Sequence, residues 1–181
     1  GKDVVFFEEL YLGKELTPEK LIASHCDIES KEHMISFPSI KTKVKDKDSG
    51  TQVVYAGENV TIIDTVSYTN LPVGKEMKLE GIQMLKSNGE PAKDADGKEI
   101  KGTATFVPKE SSGETTVEFT FNASNLGGET LVTFETLTWN GLTIEHKDIE
   151  DKEQSMYISE VDLEKTADKE TYEVGDTIHY T

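Results

Sequence analysis

The chain has 181 residues, 35% hydrophobic and 30% charged, which suits one modest core with a well-solvated surface. Its formal net charge of -16 argues against binding nucleic acid or an anionic membrane through a basic patch. No apolar run is long enough to span a bilayer, and the single cysteine, Cys26, cannot form an internal disulfide.

The first 37 residues have the pattern of two or three strands. Apolar runs at residues 4–7, 21–25 and 34–37 predict these strands, with a charged loop at residues 13–20 between the first two. Pro38 then separates this segment from the strands of the next one.

Residues 38–160 have the pattern of one all-β domain. Residues 40–46 alternate apolar or hydroxyl side chains with charged ones, as a half-buried strand does, and residues 60–68 predict a second strand. Further strands are predicted at residues 77–86, 103–107, 115–121 and 130–139, separated by turn clusters rich in Asn, Asp and Gly. Short strands at this spacing, without a helical period, predict a two-sheet sandwich of the immunoglobulin type.

The segment 146–154 carries an imidazole, several acids and a carboxamide next to core residues. Alternate side chains of a strand share a face, so His146 points the same way as Ile144, and Gln154 the same way as Met156. On spacing alone, a partly buried histidine and a surface glutamine without any joint function are the simpler interpretation of the pattern.

The sequence contains an internal repeat that relates its N-terminal segment to residues 134–154. Residues 7–10 (FEEL) repeat residues 134–137 (FETL), and residues 25–33 repeat residues 146–154 at identical spacing. We therefore interpret residues 1–37 as the closing part of a preceding module, residues 38–160 as a complete module, and residues 161–181 as the opening strands of a following one. The sequence then predicts partial neighbouring modules at both ends.

Three segments, residues 40–44, 64–71 and 132–135, together with the closing motif H-x-D-I-x-D-x-x-Q at 146–154, resemble the VaFE repeats. These are Thr–Gln ester-bond domains in the stalks of Gram-positive surface adhesins, and the resemblance covers residues 38–160. It implies that Thr42 on the first strand condenses with Gln154 on the last, releasing ammonia. His146, Asp151 and Glu135 match the other site residues of the family.

The chemistry of these residue types is consistent with the resemblance. A threonine hydroxyl is a poor nucleophile unless a base such as His146 takes its proton. A carboxamide needs hydrogen-bond donors as negative charge develops on its oxygen. Two carboxyls in a dry site tend to retain a proton, and we assign that pair to Asp151 and Glu135. The reaction is a single turnover on the chain itself, so we expect neither a turnover enzyme nor a cofactor.

Each site residue also has an ordinary structural reading. Thr42 lies between Ile40 and Val44, where threonine commonly packs in a strand, Glu135 can be a solvated strand residue, and Asp151 can belong to a turn. The alternative function is a ligand-binding adhesin module without a crosslink, with Ca²⁺ held by the acidic turns at residues 46–50 and 94–97.

The preceding module lacks two of the matching residues. Ser30 stands where Asp151 stands and His33 where Gln154 stands, while Glu8 and His25 are retained. Because a histidine cannot be the acyl donor, we predict no Thr–Gln ester there.

The resemblance also carries expectations about location and partners. It implies an extracellular, cell-wall-anchored stalk whose partners are adjacent modules of the same polypeptide and a host ligand that the sequence does not identify. We also consider that terminal strands of neighbouring chains complement one another. Residues 163–168 are similar to first strands of isopeptide-forming pilin-type domains, which makes Lys165 a candidate crosslinking residue, although a solvated lysine is the more ordinary reading.

Overall fold

The structure, a computed structural model, describes residues 2–160, 169 and 171–179. These residues form thirteen strands and two short 3-10 turns. In chain order the strands are β1 (Asp3–Val5), β2 (Glu8–Tyr11), β3 (Leu21–His25), β4 (Met34–Ser36), β5 (Ser39–Asp46), β6 (Val53–Tyr55), β7 (Val60–Thr69), β8 (Met77–Leu85), β9 (Lys101–Phe106), β10 (Gly113–Phe121), β11 (Thr130–Trp139), β12 (Leu142–His146) and β13 (Ser155–Ser159). The 3-10 turns are Pro18–Lys20 and Lys31–His33.

Strands β5 to β13 form two facing sheets. One has the order β10-β7-β5, and the other has the order β6-β13-β11-β8-β9, with β12 paired to the free part of β11. All the pairs are antiparallel except β13 with β6, which is parallel. This arrangement confirms the predicted all-β, immunoglobulin-like sandwich. Within the described residues, no helix is long and apolar enough to cross a membrane.

The alternating pattern of the first sheet directs polar residues into the core as well as apolar ones. On β5 the side chains of Ile40, Thr42 and Val44 are buried, while the intervening lysines face solvent. On β7 the same parity buries Ile62 and, two residues later, Asp64. The second sheet and the closing segment also bury polar side chains, those of Gln83, Thr133, Glu135 and Gln154. The fully buried apolar side chains around them include Val66, Met77, Leu79, Val117, Phe119, Leu131, Leu137, Met156 and Ile158.

A tight turn fixes the hairpin formed by β11 and β12. Asn140 and Gly141 have φ values of 46° and 77°, the left-handed conformation that a two-residue hairpin turn requires. The turn sets the register in which Glu135 pairs with His146 across the two strands. Two residues distant from each other in the sequence are thereby placed side by side at the edge of the sheet.

The N-terminal segment repeats this arrangement with a longer loop. Strand β2 pairs with β3 so that Glu8 lies opposite His25, as Glu135 lies opposite His146. Strand β1 pairs with β4 as β11 pairs with β13: Val5 lies opposite Met34 in the register in which Val132 lies opposite Ser155. The sequence repeat is therefore also a repeat of strand register.

The predicted strands after residue 160 are not found in the part that is described. Residues 161–168, which include Lys165, lie outside the described residues. Residues 171–179, part of the segment in which opening strands were expected, contain a turn and no strand. A strand is stable only when it is paired, and its apolar alternation alone does not provide a partner.

Candidate functional site

Thr42 and Gln154 meet inside the sandwich. Thr42 lies at the middle of β5 and is 5% exposed, and Gln154 immediately precedes β13 and is fully buried. The Gln154 Nε2 donates a hydrogen bond of 2.6 Å to the Thr42 Oγ1. A backbone hydrogen bond of 3.0 Å from the Thr133 N–H to the Gln154 carbonyl fixes this segment against β11. The hydroxyl and the carboxamide are thus in direct contact although 112 positions separate them in the chain.

His146 lies on the other side of the Thr42 hydroxyl. Its Nδ1 is 3.2 Å from the Thr42 Oγ1, and its Nε2 is 3.2 Å from Asp151 Oδ2. With its proton on Nε2, the imidazole donates to Asp151 and leaves Nδ1 free to accept the threonine proton. Asp151 is itself held in place, because its Oδ1 accepts a hydrogen bond of 2.8 Å from the Glu153 N–H. A hydroxyl, a base and an acid that orients the base is the arrangement of an activated nucleophile.

Glu135 and Asp64 form a second acidic pair in the dry interior. Both side chains are fully buried. Burial, followed by the charge of Asp64 and a hydrogen bond to it, raises the pKa of Glu135 to about 9. Burial also raises the pKa of Asp64 to about 7, against opposing hydrogen bonds from Glu135, the Lys43 backbone and Thr42. At neutral pH Glu135 therefore retains its proton.

The hydrogen bonding of this pair supports the same protonation. If both carboxyls were ionised, all four oxygens of Asp64 and Glu135 would be buried without a well-aligned donor among the described residues. A proton on Glu135, donated to Asp64, removes that conflict because it supplies the missing donor. Within the described residues, Gln154 Oε1 is also buried without a partner. The oxygen on which charge develops during acyl transfer is therefore sequestered from solvent.

The structure corrects the predicted partner of Glu135. We expected Asp151 and Glu135 to share a proton, but Asp151 contacts His146, and the carboxyl that acts on Glu135 is Asp64. Asp64 is the residue that sequence reasoning missed as part of the site. The signal was present, since an aspartate between Ile62 and Val66 on the inward parity of a strand is anomalous in an apolar core. Which strand it would face could not be read from that parity.

Gly81 creates the space that Glu135 occupies. It lies opposite Glu135 in the pairing of β8 with β11. A Cβ atom at this position would be 2.3 Å from the Glu135 Oε1 and 2.4 Å from the Phe119 Cζ. Real Cβ atoms essentially never approach so closely, so any larger residue would displace the carboxyl or the ring. A glycine is therefore required here for close approach, and not for a special backbone conformation.

A second buried Thr–Gln contact lacks the accompanying groups. Gln83 and Thr133 lie opposite each other on β8 and β11, both fully buried. The Gln83 Nε2 donates to the Thr133 Oγ1 at 2.8 Å, and the Thr133 hydroxyl donates back to the Gln83 Oε1 at 3.1 Å. Every bond described for this pair of side chains is internal to it, whereas the hydroxyl of Thr42 also contacts an imidazole. The chain thus contains its own comparison for a Thr–Gln contact without a base.

The acidic turns considered for Ca²⁺ use their carboxylates locally. Asp94 Oδ1 accepts hydrogen bonds from the N–H groups of Asp96 and Lys98, and Asp46 Oδ2 accepts one from the Ser49 N–H. Among the residues that the structure describes, no group of three or more His, Cys, Asp or Glu side chains could hold a metal ion. Turn formation accounts for these acids.

Comparison with known proteins agrees with the fold. Residues 38–158 match the model of the T-Q ester bond containing domain. Two crystal forms of a bacterial adhesin from Mobiluncus mulieris, described as containing intramolecular disulfide, isopeptide and ester bond cross-links, are similar in fold. They superpose with TM-scores of 0.56 and 0.52 at 17% identity, over 68% and 66% of this chain and 57% and 56% of theirs. This chain thus spans a little over half the length of those structures. No functionally curated protein matches it.

Residues 38–160 thus form a β-sandwich in which a threonine of the first strand contacts a glutamine of the closing segment. Since the family model covers two thirds of the sequence, the chain belongs to the family of T-Q ester bond containing domains.

Proposed function

We propose that residues 38–160 form a structural module of a bacterial surface adhesin, stabilised by an ester bond that Thr42 and Gln154 form without any enzyme. The observation that carries this proposal is the 2.6 Å contact between the Thr42 Oγ1 and the Gln154 carboxamide, with His146 Nδ1 3.2 Å from the same hydroxyl. The nucleophile therefore touches both its acyl donor and its base.

The reaction exchanges an amide for an ester. His146 Nδ1 takes the hydroxyl proton as the Thr42 Oγ1 attacks the Gln154 carbonyl carbon, and a tetrahedral intermediate forms. The C–N bond then breaks, the departing nitrogen receives the proton from His146, and ammonia leaves. Asp151 orients the imidazole and stabilises it while it is charged.

We assign the acid role to the Asp64–Glu135 pair. Charge develops on Gln154 Oε1, an oxygen without a partner among the described side chains and backbone groups, so a donor is required nearby. Glu135 retains its proton at neutral pH, and Asp64 interacts with both Glu135 and Thr42. If the Glu135 proton turns from Asp64 to this oxygen as the charge develops, a neutral carboxyl supplies the hydrogen bond without adding a second negative charge to the intermediate.

Intact mass measured under denaturing conditions tests the bond. The parent chain is expected to lack the mass of one ammonia, and Thr42→Ala is expected to show its full calculated mass. Thr133→Val is the matched control, because it removes the hydroxyl of the other buried Thr–Gln contact, and it is expected to retain the deficit. A full mass in the parent, or a deficit that depends on Thr133, would refute the assignment.

The mechanical role follows from where the bond lies. It joins the first strand of the sandwich to the last, and tension applied through the chain would pass across a covalent link and bypass the strand hydrogen bonds. Closing a loop of about 100 residues also removes on the order of 4–5 kcal/mol of unfolded-state entropy. A chain with a single cysteine cannot obtain this effect from a disulfide of its own. We therefore propose a stalk module on the outside of a Gram-positive cell, anchored to its wall.

Stretching single molecules tests that role. The parent should show no release of residues 42–154 under force. Thr42→Ala should release about 113 residues, or roughly 40 nm at about 3.3–3.6 Å per residue. If the mass deficit shows that the ester is present and both proteins nevertheless extend equally, the ester has no mechanical function.

A further inference from the structure

Residues 3–37 follow the backbone plan of residues 130–158 down to individual turns. The Phe6 N–H donates to the His33 carbonyl at 3.0 Å, as the Thr133 N–H does to the Gln154 carbonyl. In the loop before each of these acceptors, a backbone hydrogen bond closes the same turn. It joins Ser30 N–H to Asp27 carbonyl at 3.2 Å, and Asp151 N–H to Asp148 carbonyl at 3.1 Å.

The two regions differ in what covers them. Leu10 and Leu137 occupy the same place in the register, but Leu10 is 59% exposed and Leu137 is fully buried. Phe37 is 50% exposed, whereas Ile158 at the matching position is fully buried. We call the exposed inward-parity side chains Val4, Phe6, Leu10, Ile35 and Phe37 the open face. An apolar surface of this kind marks an interaction site.

The matching region shows what kind of surface fits the open face. Residues 130–158 are covered by β5, which brings Thr42, and by the sheet partner β8. The covering strands precede the closing strands in the chain. By the same order, the strands that cover the open face would belong to the polypeptide upstream of residue 2, and physical linkage to it would favour them over a separate molecule.

Residues 2–37 contain only part of the set of side chains found at the Thr42–Gln154 site. Glu8 and His25 pair across the strands as Glu135 and His146 do. Where Gln154 would supply a carboxamide, however, His33 places a second ring 4.0 Å from that of His25, centroid to centroid. An imidazole has no carbonyl carbon for a hydroxyl to attack, so no covering strand could form an ester with it.

We propose that the open face docks the opening strands of a second module of this fold, supplied by the protein's own upstream polypeptide, and that this module is held together without a Thr–Gln ester. Residues 38–160 are then preceded by a module that has no such ester to resist unfolding under load. The proposal does not depend on the ester of residues 38–160, because it concerns the register and cover of residues 2–37.

Hydrogen exchange on the natural protein with its upstream polypeptide tests the docking. The amides of β2 and β3 should exchange at least ten-fold more slowly in the longer protein than in the 181-residue chain. Leu10→Asp should abolish that protection. Leu16→Asp is the matched control and should not, because Leu16 is 76% exposed in the loop that has no counterpart between β11 and β12.

Three results would overturn the proposal. The first is equal exchange in the long and short proteins. The second is a dimer of the 181-residue chain that Leu10→Asp dissociates, since a second copy would then fill the open face. The third is a loss of ammonia in the longer protein that persists in Thr42→Ala and disappears in His33→Ala. The ester of residues 38–160 is tested separately: its mass deficit should disappear in Thr42→Ala whether or not the open face docks a second module.

Discussion

Residues 3–37 and residues 130–158 have the same strand register, and only the second region forms part of a complete site. Each places a glutamate opposite a histidine across a hairpin. In the second region Glu135 is fully buried beneath β5 and β7, whereas Glu8 is exposed. The comparison teaches that the hairpin orients the histidine and that the covering sheet creates the dry environment. The perturbed carboxyl and the contact with threonine both depend on that sheet.

Gln154→His gives residues 130–158 the histidine that residues 3–37 have at the matching position, His33. It should have the largest effect on crosslinking and stability. The variant has no carboxamide, so it should show its full calculated mass. It should lose on the order of 4–5 kcal/mol of unfolding free energy with the closed loop. Mass spectrometry and thermal unfolding measure the two effects. His33→Gln, the reciprocal control, should leave both unchanged in the 181-residue chain. A missing ammonia in Gln154→His would place the acyl donor elsewhere.

Gly81→Ala tests the space that the missing side chain of Gly81 leaves for Glu135. The new methyl group would collide with the Glu135 carboxyl and the Phe119 ring, so formation of the ester should slow at least ten-fold. In the Thr42→Ala background we expect a cost of about 1–3 kcal/mol from overpacking. The measurement is the crosslinked fraction of freshly synthesised protein over time. Gly57→Ala is the control, because the closest atom that a Cβ atom added there would meet is the Tyr55 carbonyl oxygen at 3.9 Å. Equal rates in both variants would contradict the role of this space.

The pH dependence of stability tests the buried acids without the covalent bond. Asp64 and Glu135 bind their protons more tightly in the folded protein, where their pKa values are raised from 3.8 and 4.5 to about 7 and about 9. Their contribution to stability is therefore greatest below about pH 4 and is lost as the pH rises through those raised values. Denaturant unfolding of Thr42→Ala should show the fall, and Thr42→Ala with Glu135→Gln should show a smaller one. Identical profiles would mean that Glu135 does not titrate in this range.

Lys43→Ala should have the smallest effect. Lys43 on β5 forms an ion pair of 2.7 Å with Glu153, a residue of the closing segment, and both side chains are mostly exposed. Exposed pairs contribute about 1 kcal/mol or less, and this one should weaken further in salt. Chemical unfolding in the Thr42→Ala background measures it. Lys45→Ala, on the same outward face of β5, gives the effect of removing a lysine there. A loss above about 2 kcal/mol from Lys43 alone would show that surface charge, and not the dry core, joins the two segments.

Local patterns in the sequence determined much of this molecule. Strict alternation over β5 placed Ile40, Thr42 and Val44 inward, because successive side chains of a strand point to opposite faces. The repeat of residues 25–33 at 146–154 predicted that two regions share one plan, and the strand registers agree with it. The resemblance in residues 38–160 identified the family that the matching model shows.

Only the tertiary structure decided which acids act on each other. Asp64 and Glu135 lie on different sheets, and Asp151 approaches His146 through a turn, so strand parity specified their faces but not their neighbours. The opening strands expected in residues 161–181 are absent from residues 171–179, since a strand requires a pairing partner. Burial of the Glu–His pair is the remaining difference between residues 2–37 and residues 130–158. The same Glu–His pair is ordinary surface in residues 2–37 and a dry reactive site under β5 and β7, because desolvation depends on what folds over a strand and not on the strand itself.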